Sequence, residues 1–159
     1  MKKTILLLVC TALFSCGGSS DKKKQGFQYN RVKKEKASTQ AAKGSTPIDL
    51  SNEGIGPITN FEFPNSIDEA MAAEGATIFK QKCTACHKPN AKLIGPAMQG
   101  IYERRNPSWV LNIMLNPTEM LQKDPIAKAL LAEYNNILMI NQNLSEEEAR
   151  KLAEYLRTL

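Results

Sequence analysis

Apolar residues recur at helical spacing only in the later part of the chain, from about residue 66 onwards. Four segments there combine an apolar stripe with a start signal, and each predicts a short helix. A serine three residues before a glutamate forms a capping box, and a proline suits the first helical position. No strand pattern follows residue 65, so residues 66–159 predict an all-α domain of about four short helices. The start signals are Ser66 with Glu69, Asn106-Pro107, Asp124-Pro125, and Ser145 with Glu148.

Three segments precede this domain. In residues 47–65, single apolar residues are spaced among Gly and Pro. This pattern indicates an extended arm packed on the domain, with room for one short strand. Residues 16–46 nearly lack large aliphatic residues, so they cannot bury enough surface to offset the entropy of ordering and predict a disordered basic linker. Residues 1–15 join two lysines to an apolar run too short to cross a membrane, which is typical of a secretory signal peptide.

Cys16 is a candidate lipidation site. Residues 13–16 resemble a bacterial lipobox, in which cleavage leaves a lipidated cysteine as the first residue, and residues 17–20 are small and polar as in a tether. Acyl chains on Cys16 would hold the protein at the periplasmic face of a Gram-negative membrane. Gly17 resembles lipoproteins that are passed to the outer membrane. The alternative is an ordinary cleaved signal in which Cys16 has no function.

The charge of the chain is divided unevenly. The whole sequence carries +5, but residues 17–46 hold eight basic and two acidic residues, whereas residues 47–159 hold eleven basic and fourteen acidic ones. The folded part is therefore mildly acidic. A nucleic-acid-binding domain should itself carry the positive face, so this balance argues against nucleic acid as a partner.

Residues 83–87 contain the most informative motif of the chain: two residues separate Cys83 from Cys86, and His87 follows directly. This CxxCH spacing is the attachment signature of c-type haem: the thiols can form thioethers, and the imidazole can ligate the iron. A zinc site would need a second ligand pair, and a thioredoxin-like dithiol would need a βαβ context; both stay open beside a chance match. His87 is the only histidine, which excludes bis-histidine haem ligation.

Further features resemble one family over residues 66–159. Gly75, Phe79 and Cys83 follow one another at intervals of four, Gly95-Pro96 follows the CxxCH, and a helix with an aromatic residue closes the chain. Together with the CxxCH they resemble class I, monohaem cytochrome c, in a lipoprotein-type bacterial form. The resemblance implies a cytochrome c-like fold around one covalent haem c. It also implies that the Pro96 carbonyl accepts a hydrogen bond from His87, the proximal iron ligand.

The resemblance also suggests the remaining haem contacts. The family's distal methionine lies five residues before the hydrophobic residue that precedes the last helix, and Met139 stands in that relation to Leu144, although Ile140 replaces a common proline. Met120, expected in a loop, is the second candidate. Arg104 and Arg105 are candidates to pair with haem propionates, and Trp109 is a candidate to donate its indole N–H to one.

These features predict an electron carrier and not an enzyme. Iron that only changes valence needs no acid, base or nucleophile, and a tethered soluble domain suits transient encounters with respiratory-chain proteins, from a quinol-oxidising complex to a terminal oxidase or reductase. A monomer is expected. The alternatives are a haem enzyme or gas sensor with an open sixth coordination site, and a fixed haem subunit of a larger respiratory complex.

Overall fold

The computed structural model describes residues 46–159, so the signal peptide, Cys16 and nearly all of the linker lie outside it. Five α-helices and one 3₁₀ turn are present in that range. Within it, no helix is both long and apolar enough to cross a membrane. The helices are α1, Glu69–Lys82; α2, Pro107–Leu115; α3, Pro117–Lys123; α4, Pro125–Glu133; and α5, Glu146–Arg157; the 3₁₀ turn spans Ile101–Glu103.

The first and last helices form the central packing contact. Gly75 of α1 lies so close to α5 that a Cβ there would be 2.6 Å from the carbonyl carbon of Lys151 and 3.0 Å from the backbone nitrogen of Leu152. Beside this crossing, the rings of Phe79 and Tyr155 pack with their centroids 5.3 Å apart. The glycine thus allows two helix backbones to approach where any larger residue would separate them.

Three of the four predicted helix starts are confirmed. Asn106 and Asp124 cap α2 and α4, each followed by proline, and Ser145 with Glu148 forms the complete capping box of α5. The fourth prediction is wrong: the N-cap of α1 is Asp68, whose carboxylate accepts from the Met71 N–H at 3.0 Å. The Ser66 carbonyl instead accepts from the guanidinium of Arg157 at 3.1 Å.

Helix α3 was not predicted. Pro117, which comes directly after the C-cap of α2, is the first residue of this helix, a position where its missing N–H costs nothing. Met120 therefore lies in a helix and not in a loop. Its side chain is fully buried, and it belongs to the core cluster that also includes Trp109, Met114 and Leu152.

The segment before α1 packs on the domain as an extended chain. Among residues 46–159 it forms no strand, only an isolated bridge between Asp49 and Arg105. Polar side chains of α2 bind its backbone instead. Asn112, 1% exposed, accepts from the Ile58 N–H at 3.0 Å and donates to the carbonyls of Glu53 and Ile58 at 2.9 and 2.8 Å.

Candidate functional site

An apolar cavity of about 420 Å³ opens on one side of the helical domain. Its volume falls within the roughly 300–1,000 Å³ of typical cofactor and ligand pockets. The lining side chains come from every α-helix, from the chain between α1 and the 3₁₀ turn, from that turn, and from the irregular chain before α5. Nearly all of them are apolar, among them Ile94, Val110, Ile113, Leu130, Leu131, Leu152 and Leu156.

The turn that follows α1 brings the three residues of the CxxCH to this cavity. The Cys83 N–H closes the helix on the Phe79 carbonyl at 2.9 Å, and the N–H groups of Cys86 and His87 both donate to the Cys83 carbonyl, at 3.0 and 2.9 Å. All three side chains line the cavity, Cys83 half-buried and Cys86 exposed. Two thiols and an imidazole therefore meet at one edge of an apolar slot.

His87 is held in one orientation. Its Nδ1 lies 3.0 Å from the Pro96 carbonyl oxygen, which can only accept, so Nδ1 carries a proton and Nε2 is the nitrogen left to bind a metal ion. Gly95 lies against the ring: a Cβ there would be 2.8 Å from Nδ1, 3.0 Å from Nε2 and closer still to Cε1. An imidazole oriented in this way, with its other nitrogen bound to a carbonyl, is the arrangement typical of a metal-ligating histidine.

The other chemistries left open for two cysteines fit this site poorly. Burial raises the pKa of the Cys83 thiol to about 11, with Lys82 opposing the shift only in part, whereas redox-active dithiols have a lowered pKa. A structural zinc ion needs four ligands, and residues 46–159 contain no cluster of three or more His, Cys, Asp or Glu side chains. Thioether bonds to a covalent group, by contrast, need no thiolate once formed.

The structure separates the two methionine candidates. Met139 lines the cavity, in the irregular chain between α4 and α5. Met120, the second candidate, does not: its sulfur accepts from the Ile55 N–H at 2.9 Å, on the side of the domain that the arm covers. Met98 and Met114 also line the cavity, so position on the wall alone does not single out one thioether.

Each of the three residues expected to contact a propionate already has a protein partner, and the propionate contacts themselves stay predictions. The Trp109 indole N–H donates to Asp124 Oδ1 at 3.0 Å, although the ring lines the cavity. The guanidinium of Arg105 is buried and donates to the Pro47 carbonyl at 3.0 Å, and that of Arg104 donates to the carbonyls of Gln99 and Ala97 at 3.0 and 3.1 Å. Neither arginine lines the cavity.

Two functional features escaped the sequence analysis. Gly95 was noted only as part of Gly-Pro, yet it makes the space in which the imidazole lies. Asp124 was noted only as an N-cap, yet it also accepts the hydrogen bond of the cavity-lining Trp109. An acidic cap shortly after a tryptophan was the available signal for the second feature.

Comparison with known proteins agrees with this site. The family described as cytochrome c matches residues 72–159, more than half of the chain. Cytochrome c-551 of Ectopseudomonas mendocina is 31% identical over 88 residues, which are 55% of this chain and 99% of that protein. The solved cytochrome c from Rhodothermus marinus is 42% identical, covers 65% of this chain and 88% of its own, and superposes with a TM-score of 0.62. An engineered form of it gives 41% identity and the same TM-score.

The chain therefore belongs to the cytochrome c family, with the family's helical fold and its covalent haem c at the CxxC of Cys83 and Cys86. It is a cytochrome c electron carrier, similar to cytochrome c-551. The cavity fits that group, because thiols, an imidazole with a free Nε2 and a thioether lie on the wall of one apolar slot, and because Gly95 leaves the imidazole room that a Cβ would take.

Proposed function

We propose that this protein is a lipid-anchored, periplasmic monohaem cytochrome that carries single electrons between components of a respiratory chain. One observation carries the proposal: His87 and Met139 line a single, mostly apolar cavity, whose wall also includes Lys82, Tyr134 and Gln142 besides the two cysteines that the haem would bind. Such a site can hold iron between two protein ligands. The covalent haem supplies an iron that changes between the ferrous and ferric states.

The protein residues hold that iron and exclude competing chemistry. His87 presents Nε2 while Pro96 keeps the proton on Nδ1, which makes the imidazole a stronger donor. The Met139 thioether would fill the sixth position, which raises the reduction potential and leaves no coordination site for a small molecule. The apolar lining keeps water from the iron. These functions explain why an electron carrier needs none of the polar groups of a haem enzyme.

The edge that carries the cysteines has a charge suited to an acidic partner. Cys86 is exposed there, and so are the nearby Lys80, Lys88 and Lys92. No acidic residue occurs between Glu74 and Glu103, whereas residues 47–159 as a whole are net acidic. A local positive surface on an otherwise acidic domain accelerates and orients encounters with negatively charged redox proteins. The partners are the quinol-oxidising complex and the terminal oxidase or reductase of the chain.

The tether joins the domain through the arm. The Thr46 N–H donates to Glu133 at 3.1 Å, so the packed chain begins at the start of the described range. The linker of residues 17–46 would, as a flexible coil, have a root-mean-square reach of roughly 30 Å. This length lets an anchored domain visit two fixed partners. The anchor is the acylated Cys16, with the outer membrane favoured by Gly17.

Two measurements test the proposal. The exported protein should give c-type bands in its reduced-minus-oxidised spectrum, and carbon monoxide should leave them unchanged because Met139 closes the sixth position. Bands that shift with carbon monoxide would instead indicate a haem enzyme or gas sensor.

The membrane anchor is tested by fractionation. Cys16→Ser should move the haem protein from the membrane to the soluble periplasmic fraction, while the matched control Cys10→Ser, inside the signal segment, should leave it in the membrane. A Cys16→Ser protein that stays in the membrane contradicts lipidation. Recovery of the wild type in one stoichiometric respiratory complex would favour a fixed subunit over a shuttle.

A further inference from the structure

Trp109 has the haem cavity on one side and the arm on the other. Its ring lines the cavity, and the residue is only 3% exposed. On the far side lies Gly54, where φ is +77° and a Cβ would come within 3.2 Å of the Trp109 Cδ1. The arm therefore forms the outer support of a residue that belongs to the haem-binding wall.

Two further residues, Asp124 and then Asn52, hold the polar edge of the indole through a chain of two hydrogen bonds. The N–H donates to Asp124 Oδ1 at 3.0 Å, and Asp124 Oδ2 accepts from Asn52 Nδ2 at 2.7 Å. The second functional group of Asn52 is also occupied, since its Oδ1 accepts from the Gly54 N–H at 2.8 Å. One arm residue thus orients the carboxylate that binds the indole and also shapes the turn that packs on it.

Asp124 connects this network to a second wall of the cavity. Its Oδ1 also caps α4 by accepting from the Ala127 N–H at 2.8 Å, and Ala127 lines the cavity. The carboxylate is 2% exposed, so no water can easily replace a lost donor. Loss of the Asn52 amide would leave Asp124 Oδ2 buried without a donor, which costs free energy. Asp124 would therefore shift towards another partner, and the indole bound to it would shift as well.

We infer that Asn52 is a positioning residue of the haem site, which through Asp124 holds Trp109 against the bound haem. The arm is then a component of the cofactor site and not only a link to the tether. The inference rests on the covalent haem of the family. It does not depend on the lipid anchor or on the redox partners proposed above, which the fractionation test addresses separately.

The test uses the haem-loaded full chain and the fluorescence of Trp109, which is the only tryptophan. Bound haem quenches a nearby indole in a way that depends on distance and orientation. In Asn52→Leu, which keeps the size but removes both hydrogen-bonding groups, we expect emission per haem to rise and the midpoint potential to shift from that of the wild type. Glu62→Gln, an exposed arm position, is the matched control and should change neither.

A reciprocal exchange separates positioning from general stability. Asn52→Asp alone sets two carboxylates against each other, whereas Asn52→Asp with Asp124→Asn restores the pair: the new amide donates to residue 52 and its oxygen still accepts from Trp109 and caps α4. The double variant should recover wild-type emission and potential. The inference is overturned if Asn52→Leu lowers only the melting temperature. It is also overturned if Asn52→Leu and Asn52→Asp both alter emission and potential while the double variant restores neither property.

Discussion

The two sides of the haem cavity are built in different ways. On the histidine side, residues 87–99 are held by a series of backbone hydrogen bonds. The N–H groups of Gly95, Met98 and Gln99 donate to carbonyls of residues 86, 88 and 89, at 2.8, 3.1 and 2.7 Å. The imidazole itself is fixed by the Pro96 carbonyl and by Gly95.

On the methionine side the chain has little such support. Within the part of the chain that the structure describes, residues 138–144 form no backbone-to-backbone hydrogen bond. Their course is set at the two ends. Asn135 and Asn136 adopt φ of +59° and +58° after α4, and Ser145 begins α5 in a capping box. Between these ends, Met139 and its apolar neighbours lie on the cavity wall.

The comparison indicates which of the two proposed iron ligands is preorganised. The position of His87 is determined by polar contacts that exist within the protein, whereas that of Met139 depends on the ends of its loop and on apolar packing. Changes on the histidine side should therefore disrupt the site itself. Changes on the methionine side should alter the potential and the exchange of the sixth ligand while the haem stays attached.

Gly95→Ala should have the largest effect, because the added Cβ would overlap the imidazole. Overpacking of this kind costs roughly 1–3 kcal/mol of stability, and here it would also displace His87, the proposed iron ligand. We expect little haem protein with a normal spectrum. Gly100→Ala is the contrast: φ is +64° there, so it costs about 1 kcal/mol in backbone strain but should keep normal ligation. Equal spectra for the two variants would contradict the importance of the Gly95 contact.

Met139→Leu should leave the haem attached but open the sixth position. We expect carbon monoxide to bind and the potential to fall by on the order of 0.1 V, within the roughly 0.8 V that axial ligands can span. Redox titration and carbon monoxide difference spectra measure both. Met98→Leu, also on the cavity wall, serves as the control and should change neither. If Met98→Leu binds carbon monoxide and lowers the potential while Met139→Leu does neither, the ligand assignment is wrong.

Ser145→Ala should weaken the methionine side without touching the ligand. The Ser145 hydroxyl accepts from the Glu148 N–H at 3.1 Å, and loss of such a cap costs about 1 kcal/mol. Denaturant unfolding would measure this loss, and hydrogen exchange should increase in residues 138–144 more than in residues 87–99. The same substitution at Ser66, which is not a cap, should have little effect. A uniform increase in exchange would remove the contrast between the two sides.

The smallest expected effect is a loss of stability in acid through Glu148. Its pKa is lowered, first by the Ser145 N–H and then by Lys82, whose Nζ lies 3.2 Å from Oε1. Because the folded pKa is the lower one, the stabilisation is present above roughly pH 4.3 and is lost as the pH falls through the folded value. Glu148→Gln keeps the capping box, so its unfolding should depend less on pH between 5 and 3. Glu146→Gln should retain the wild-type slope.

The sequence determined the features that depend on neighbouring residues. The CxxCH spacing defines the covalent attachment, and the caps at Asn106, Asp124 and Ser145 each act over two or three residues, so no other part of the chain had to be known. The family resemblance then added the Gly-Pro that orients His87. These features cover most of the helical fold and the histidine side of the site.

Only the tertiary structure decided how the long-range polar groups are paired. The Ser66 carbonyl accepts from Arg157, 91 residues away, and α1 is capped by Asp68 instead. Asp124 accepts from the Trp109 N–H, for which a propionate was only a candidate partner, and the sulfur of Met120 accepts from the Ile55 N–H of the arm. A buried donor or acceptor must be paired with whatever the packing brings within hydrogen-bond distance. Local sequence cannot show which distant group that is, because the partner is fixed by the fold.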